Sequence, residues 1–243
     1  MRISFILFLC GITTITSCTK PVSITVNHGK IVVKVFHQVD GAPLIFDTVA
    51  YTNAAQNVYS VEKLQYYLSG IKIYKNKILR YSGSDVILVD ARKDSVTSFT
   101  ITPASGLETG VYDSIAFRIG VDSALNTPFG LPQTLDNLDM AWPDAMGGGY
   151  HFLKLEGHYK NDSLLAGYAM HIGGNGFLVK GGFHCALNIA ATGDAELKMI
   201  MNVNEWFRNP DNYDFNTDGV FSMGNMALMQ KLSQNGADVF FSN

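Results

Sequence analysis

Ile31, Val33, Val35, His37 and Val39 occupy every second position of one unbroken run. A period of two places these five side chains on one face of a strand, whereas a helix would scatter them around its axis. Asp40-Gly41-Ala42-Pro43 then interrupts the run with turn chemistry. The same rhythm returns along the chain. Strands are expected over residues 58–74, 86–90, 98–102, 112–121, 150–159, 165–172, 177–189 and 196–203, separated by segments rich in Gly, Pro, Ser and Asp. With 23 glycines, 11 tyrosines and 15 phenylalanines, the composition agrees with an all-β fold. The expected architecture is an antiparallel β-sandwich with a long loop and a short C-terminal helix. That helix is read over residues 223–234, where Met226, Met229 and Leu232 recur at three-residue spacing before Asn235-Gly236. Its methionines are read as packing.

The N-terminus bears on location. Arg2 precedes an apolar run from Ile3 to Leu9, and Ile15-Thr16-Ser17-Cys18 reads as a bacterial lipobox with Cys18 as the acylated residue. An ordinary secretory signal cleaved elsewhere is the rival reading. Residues 1–17 are accordingly a signal peptide, 18–28 a tether, and 29–243 one β-sandwich domain. The expected location is the cell envelope, lipid-anchored, with the periplasmic face favoured because a lysine and a proline, and no acidic cluster, follow Cys18. Cys10 leaves with the signal and Cys18 carries lipid, so Cys185 alone remains in the domain and no intramolecular disulfide can form. A chain of roughly 225 residues buries enough surface to fold without one.

Charge excludes one class of partner. A formal net charge of -3, with Lys and Arg scattered singly, provides no basic stripe for nucleic acid.

The segment from Met140 to Gly174 concentrates potential chemistry. It holds one of two tryptophans, three of six histidines and the triplet Gly147-Gly148-Gly149. It overlaps a loop from Asp122 to Gly149 that is long enough to be read as functional. The histidines invite a metal reading, since imidazole suits Cu, Zn and Ni. No H-x-H or H-x-x-x-H pair occurs, so any site must be assembled from separate strands. His37 lies on the apolar side of its strand, where a core histidine satisfied by backbone is the plainer reading. His171 follows the small residues Gly167 and Ala169 on one strand face, which leaves room for a ligand or another backbone. His28, His151 and His158 are read as rim residues, and His184 as exposed. Asp214, Asn216, Asp218 and Gly219 open like an EF-hand loop, but Asn225 stands at the twelfth position in place of Glu, so an Asx-rich turn is the better reading. Hydrolase and nucleotide motifs are absent, and nothing fixes the separation of a carboxylate pair such as Asp139 with Asp144 or Glu156.

The phrases H-Q-V-D-G-A-P-L, Y-T-N-A-A, L-Q-Y-Y-L-S-G-I-K-I, I-A-F-R-I-G-V-D-S-A-L-N, M-A-W-P-D-A-M-G-G-G-Y-H-F-L-K-L-E-G and M-H-I-G-G, followed by W-F-R-N-P and M-Q-K-L-S-Q-N-G-A-D-V-F, resemble the MbnP-like family in content and order. The resemblance implies an exported copper-binding domain that is not itself an enzyme. It implies copper held by histidines and a kynurenine made from tryptophan by a partner di-haem peroxidase-like cytochrome. Carried onto this chain, it names His37 and His171 as ligands and Trp142 as the residue open to oxidation. Ala141 and Asp144 depart from the family's Met-aromatic-Trp-X-Trp pattern, so the second tryptophan is missing. The alternative is a metal-free cell-envelope module that recognises a protein or glycan through the 122–149 loop. The copper reading predicts that His37 and His171 converge near Trp142. The alternative predicts an exposed aromatic groove with both histidines buried and hydrogen-bonded.

Overall fold

A computed structural model describes residues 30–103, 106–190 and 192–243. The expected signal peptide and tether, with Cys18 and His28, lie outside the described residues. The alternating run forms β1 (Ile31–Val39), with alternate residues buried along its whole length. Two short strands follow, β2 (Ala42–Pro43) and β3 (Tyr51–Thr52), and then β4 (Val58–Tyr59). The longest strand is β5 (Lys63–Lys75), trailed by β6 (Ile78–Ser82), β7 (Val86–Asp90), β8 (Thr97–Ile101) and β9 (Gly110–Ile119). The second half contributes β10 (His151–Asn161), β11 (Leu164–Gly173), β12 (Val179–Ile189), β13 (Ala195–Asn202) and β14 (Phe240–Phe241). Among the described residues no helix is long and apolar enough to cross a membrane.

These strands form a five-stranded and a nine-stranded sheet. In the smaller, β1 lies between β13 and the antiparallel β8 and β2. The β1–β13 pair is parallel, with Ile31 opposite Ala195 and His37 opposite Met201, so the expected antiparallel sandwich holds with this exception. In the larger, β5 is the hub, pairing antiparallel with β6, β7, β9 and β10. The sheets meet through aromatic side chains. Phe240 of β14 packs 6.0 Å from Tyr66 of β5 and 5.1 Å from Phe117 of β9 between ring centroids. Edge-to-face pairs of this kind add about 1 kcal/mol each beyond the area they bury.

The expected C-terminal helix is present as α2 (Met226–Asn235), with Asn225 as its N-cap accepting from the Leu228 amide. Leu228, Met229 and Leu232 are its buried apolar side, while Met226 is exposed. The 122–149 segment has structure of its own. It contains the helix α1 (Leu135–Asp139), capped by Thr134, and a 3-10 turn at Asp144–Met146. Side chains fasten it down: the Asn126 carbonyl oxygen accepts from the Tyr150 amide at 2.9 Å, and the Tyr67 hydroxyl donates to Asn137 at 2.8 Å.

Candidate functional site

Register decides which face each candidate occupies. Leu153 of β10 stands between Tyr66 of β5 and Ile172 of β11, and all three are fully buried. Tyr66 points towards the smaller sheet, since its ring packs on Phe240. The next residue along, Lys154, stands between Gln65 and His171. Strand alternation therefore turns Lys154, Gln65 and His171 to the opposite, outer face of the larger sheet. The 122–149 segment covers that face.

One irregularity brings a second histidine there. His151 pairs with Gly173, whereas Leu153 pairs with Ile172, so β10 carries one extra residue at this point. Without the bulge His151 would share the inward face of Leu153 and Leu155; with it, the imidazole emerges beside His171. The two rings lie edge to face with centroids 5.0 Å apart and planes at 88°. Trp142 closes the group, its ring 4.7 Å from that of His151. Its indole N–H donates to the Met146 carbonyl at 3.2 Å. His151, expected at the rim, is thus buried between Trp142 and His171.

Hydrogen bonding orients both imidazoles. His171 Nε2 faces the Glu156 carboxylate at 2.9 Å, and Glu156 is held below the usual carboxylate range first by this bond, with Lys63 and Lys154 assisting. Its partner nitrogen, Nδ1, is buried and has no hydrogen-bond partner. His151 Nδ1 faces the Met140 carbonyl at 3.2 Å, which leaves Nε2 as the unprotonated nitrogen of a neutral ring. Neutrality is enforced by burial first, and then by His171 and Lys154, which lower the His151 pKa to about 4. One nitrogen engaged by an acceptor and the other presenting a lone pair is how proteins prepare histidine for a metal ion. The residues therefore fit copper through His151 Nε2 and His171 Nδ1. Among the described residues no group of three His, Cys, Asp or Glu side chains is arranged to hold a metal ion, so such a site would rest on two imidazoles and whatever Trp142 supplies.

His37 is not part of this group. Its Nε2 lies 2.8 Å from the Tyr66 hydroxyl, inside the sandwich, on the other side of the larger sheet from His171. Burial lowers its pKa to about 4, and its Nδ1 is also unpartnered. The structure does not bring His37 and His171 together, whereas it does bring His171 to Trp142 through His151. Asp144 is exposed on the 3-10 turn, so the tryptophan this chain retains is the one packed against histidine. His158 Nδ1 lies 2.5 Å from the Glu62 carboxylate and His184 is exposed, both away from the group.

Two further regions were singled out in the sequence. At the EF-hand-like turn, Asp214 accepts from the Asn216 amide and the Asn57 side chain, and Asp218 accepts from the Asp214 amide and Lys231. That is an Asx-rich turn whose carboxylates already have donors. Beside Trp142, a cleft of about 170 Å³ is lined by Pro128, Phe129, Pro132, Leu138 and Tyr150, with Phe129 exposed at its mouth. The aromatic groove of the metal-free reading is therefore present too, and His37 and His171 are both largely buried and hydrogen-bonded.

A family model described as MbnP matches residues 28–227. Among solved structures, the chain is similar to MbnP from Methylosinus trichosporium, with 14% identity and a TM-score of 0.47 over 76% of this chain and 79% of that one. No curated protein sequence matches at a significant level.

Proposed function

The chain belongs to the MbnP family, and on that premise we propose that it is a copper-binding protein of the cell envelope, held to the membrane by lipid on Cys18. The observation that carries this reading is the buried, unpartnered Nδ1 of His171, facing away from a carboxylate-bound Nε2 and beside the neutral imidazole of His151. An orphaned buried polar nitrogen costs on the order of 1–3 kcal/mol unless something takes its lone pair. Copper is the divalent first-row ion that imidazole nitrogens hold most tightly. His151 and His171 would be the ligands. His37 has the chemistry for the role but lies across the sheet.

Trp142 extends the proposal. An intact indole offers a metal only an N–H donor and no lone pair. Oxidative opening of the ring to kynurenine, a four-electron oxidation that would consume two equivalents of hydrogen peroxide and release the indole C2 as formate with one water, would convert it into an aryl amine and a carbonyl next to His151. The di-haem peroxidase-like cytochrome suggested by the family resemblance is the partner proposed for that oxidation. In this reading the chain binds copper and is modified, and performs no catalysis itself. The metal-free module is favoured by a different observation, the cleft beside Trp142 with Phe129 exposed at its mouth.

The deciding experiment is competition for Cu(I) and Cu(II) between the mature domain and a calibrated chelator, with His151→Ala, His171→Ala and His37→Ala compared, and an intact mass of natively produced protein. Tight stoichiometric binding lost in the first two variants and kept in the third supports the site. A mass increase localised to Trp142 supports its oxidation. Binding indifferent to both His151 and His171 sinks the copper reading and leaves the cleft as the functional surface.

A further inference from the structure

The methionines divide sharply by exposure. Met140, Met170, Met199 and Met201 are fully buried and Met229 nearly so, whereas Met146, Met223 and Met226 are 38%, 43% and 70% exposed. All three exposed methionines belong to two segments hydrogen-bonded to the histidine–tryptophan group. The Met146 carbonyl accepts the Trp142 indole N–H. Ser222, next to Met223, exchanges two hydrogen bonds of 2.6 Å with the backbone of His171. The segments also meet each other, because the Met146 methyl lies 3.9 Å from where a Cβ on Gly224 would sit. Gly224 has a φ of 81°, it is followed by Asn225, which caps α2, and Met223 and Met226 flank this Gly-Asn pair in the chain.

Burial of these side chains would be the ordinary outcome, since methionine is among the residues most often found inside. A thioether is a soft, neutral donor that prefers monovalent copper over harder ions, and its three rotatable bonds let it close around an ion. We infer that Met146, Met223 and Met226 form a capture site for a soft monovalent metal ion at the rim of the His151–His171 group, from which the ion passes inward. The inference deepens the copper reading and rests on it for the destination of the ion, but the rim site itself does not depend on the histidines. Neutral thioethers hold such an ion loosely enough to release it to imidazoles, so the rim loads the site without storing metal.

The test uses the mature chain with methyl-labelled methionine, titrated with Ag(I) as a redox-inert stand-in for Cu(I), in the wild type, in His151→Ala/His171→Ala and in Met146→Leu/Met223→Leu/Met226→Leu. Expected is a joint, saturable shift of the three exposed methyl resonances in the wild type and in the histidine variant, with Met170, Met199 and Met201 unmoved. Transfer of Cu(I) from a weak chelator to the histidines should slow several-fold in the leucine variant, with unchanged affinity at equilibrium. Three silent methyl resonances, or shifts that titrate independently of one another, overturn the inference. Failure of the copper reading looks different: the rim methyls still respond to silver, and tight binding that needs His151 and His171 is missing.

Discussion

The indole of Trp142 lies against the Cα of Gly173, at the end of β11, so closely that a Cβ built there would stand 2.5 Å from Cδ2. Glycine is required at this position because the ring occupies the volume any side chain would need. Gly173→Ala should drive the indole out of its seat beside His151, at a cost of about 1–3 kcal/mol. The expected signature is a gain in collisional quenching of tryptophan fluorescence, since Trp206 stays buried in the core and only Trp142 is displaced. Unchanged quenching with unchanged stability would contradict the packing.

Glu156 selects the His171 tautomer by accepting from Nε2. Glu156→Leu removes the acceptor and frees the proton to move to Nδ1, and should weaken copper binding by about 10–100-fold. Glu156→Gln keeps an acceptor oxygen and loses only charge, so its loss of affinity should be the smaller of the two. Chelator competition ranks the three proteins; equal affinities would mean that Glu156 does not prepare His171.

Burial at His37 makes stability depend on pH. The folded pKa is lowered from 6.5 to about 4, and Arg92, the charged residue lining the adjoining pocket, is ion-paired with Asp47. Above pH 6.5 the ring is neutral in both folded and unfolded chains and the term vanishes. As pH falls from 6.5 to 4, the unfolded chain takes up a proton that the folded one refuses. Stability is therefore lost across that window, by up to about 3 kcal/mol, and the loss levels off below pH 4. His37→Gln should flatten the share of the slope due to this residue in urea unfolding followed from pH 7 to 4. A slope identical to wild type would place the titration elsewhere.

Asn204 ties the smaller sheet to the β3–β4 edge of the larger one. Its oxygen accepts from the Tyr59 hydroxyl at 2.7 Å, and its nitrogen donates to Asp40 and to the Thr52 carbonyl. Asn204→Ala strands a fully buried phenol and should cost about 2–4 kcal/mol in denaturant unfolding. Adding Tyr59→Phe should return part of that loss, because the stranded hydroxyl is then gone. An additive double variant would show that the bond contributes nothing.

The alternation of apolar residues was sufficient to read β1 nearly residue for residue, and Asn235-Gly236 marked the end of α2, because strand period and helix termination are local properties of the chain. The ordered phrases along the chain were likewise enough to point to the MbnP family. His37 and His151 were beyond the reach of that kind of reasoning. His37 sits on an apolar strand face like a ligand-bearing residue, but which side of the larger sheet it faces follows from the packing of two sheets, fixed by contacts such as Phe240 on Tyr66. His151 was hidden by a single extra residue in β10, which reverses the side chain's direction and exists only as a mismatch with β11. The secondary structure was written in local periodicity; the site was decided by strand register and by which face the 122–149 segment covers, and neither is a property of any one stretch of sequence.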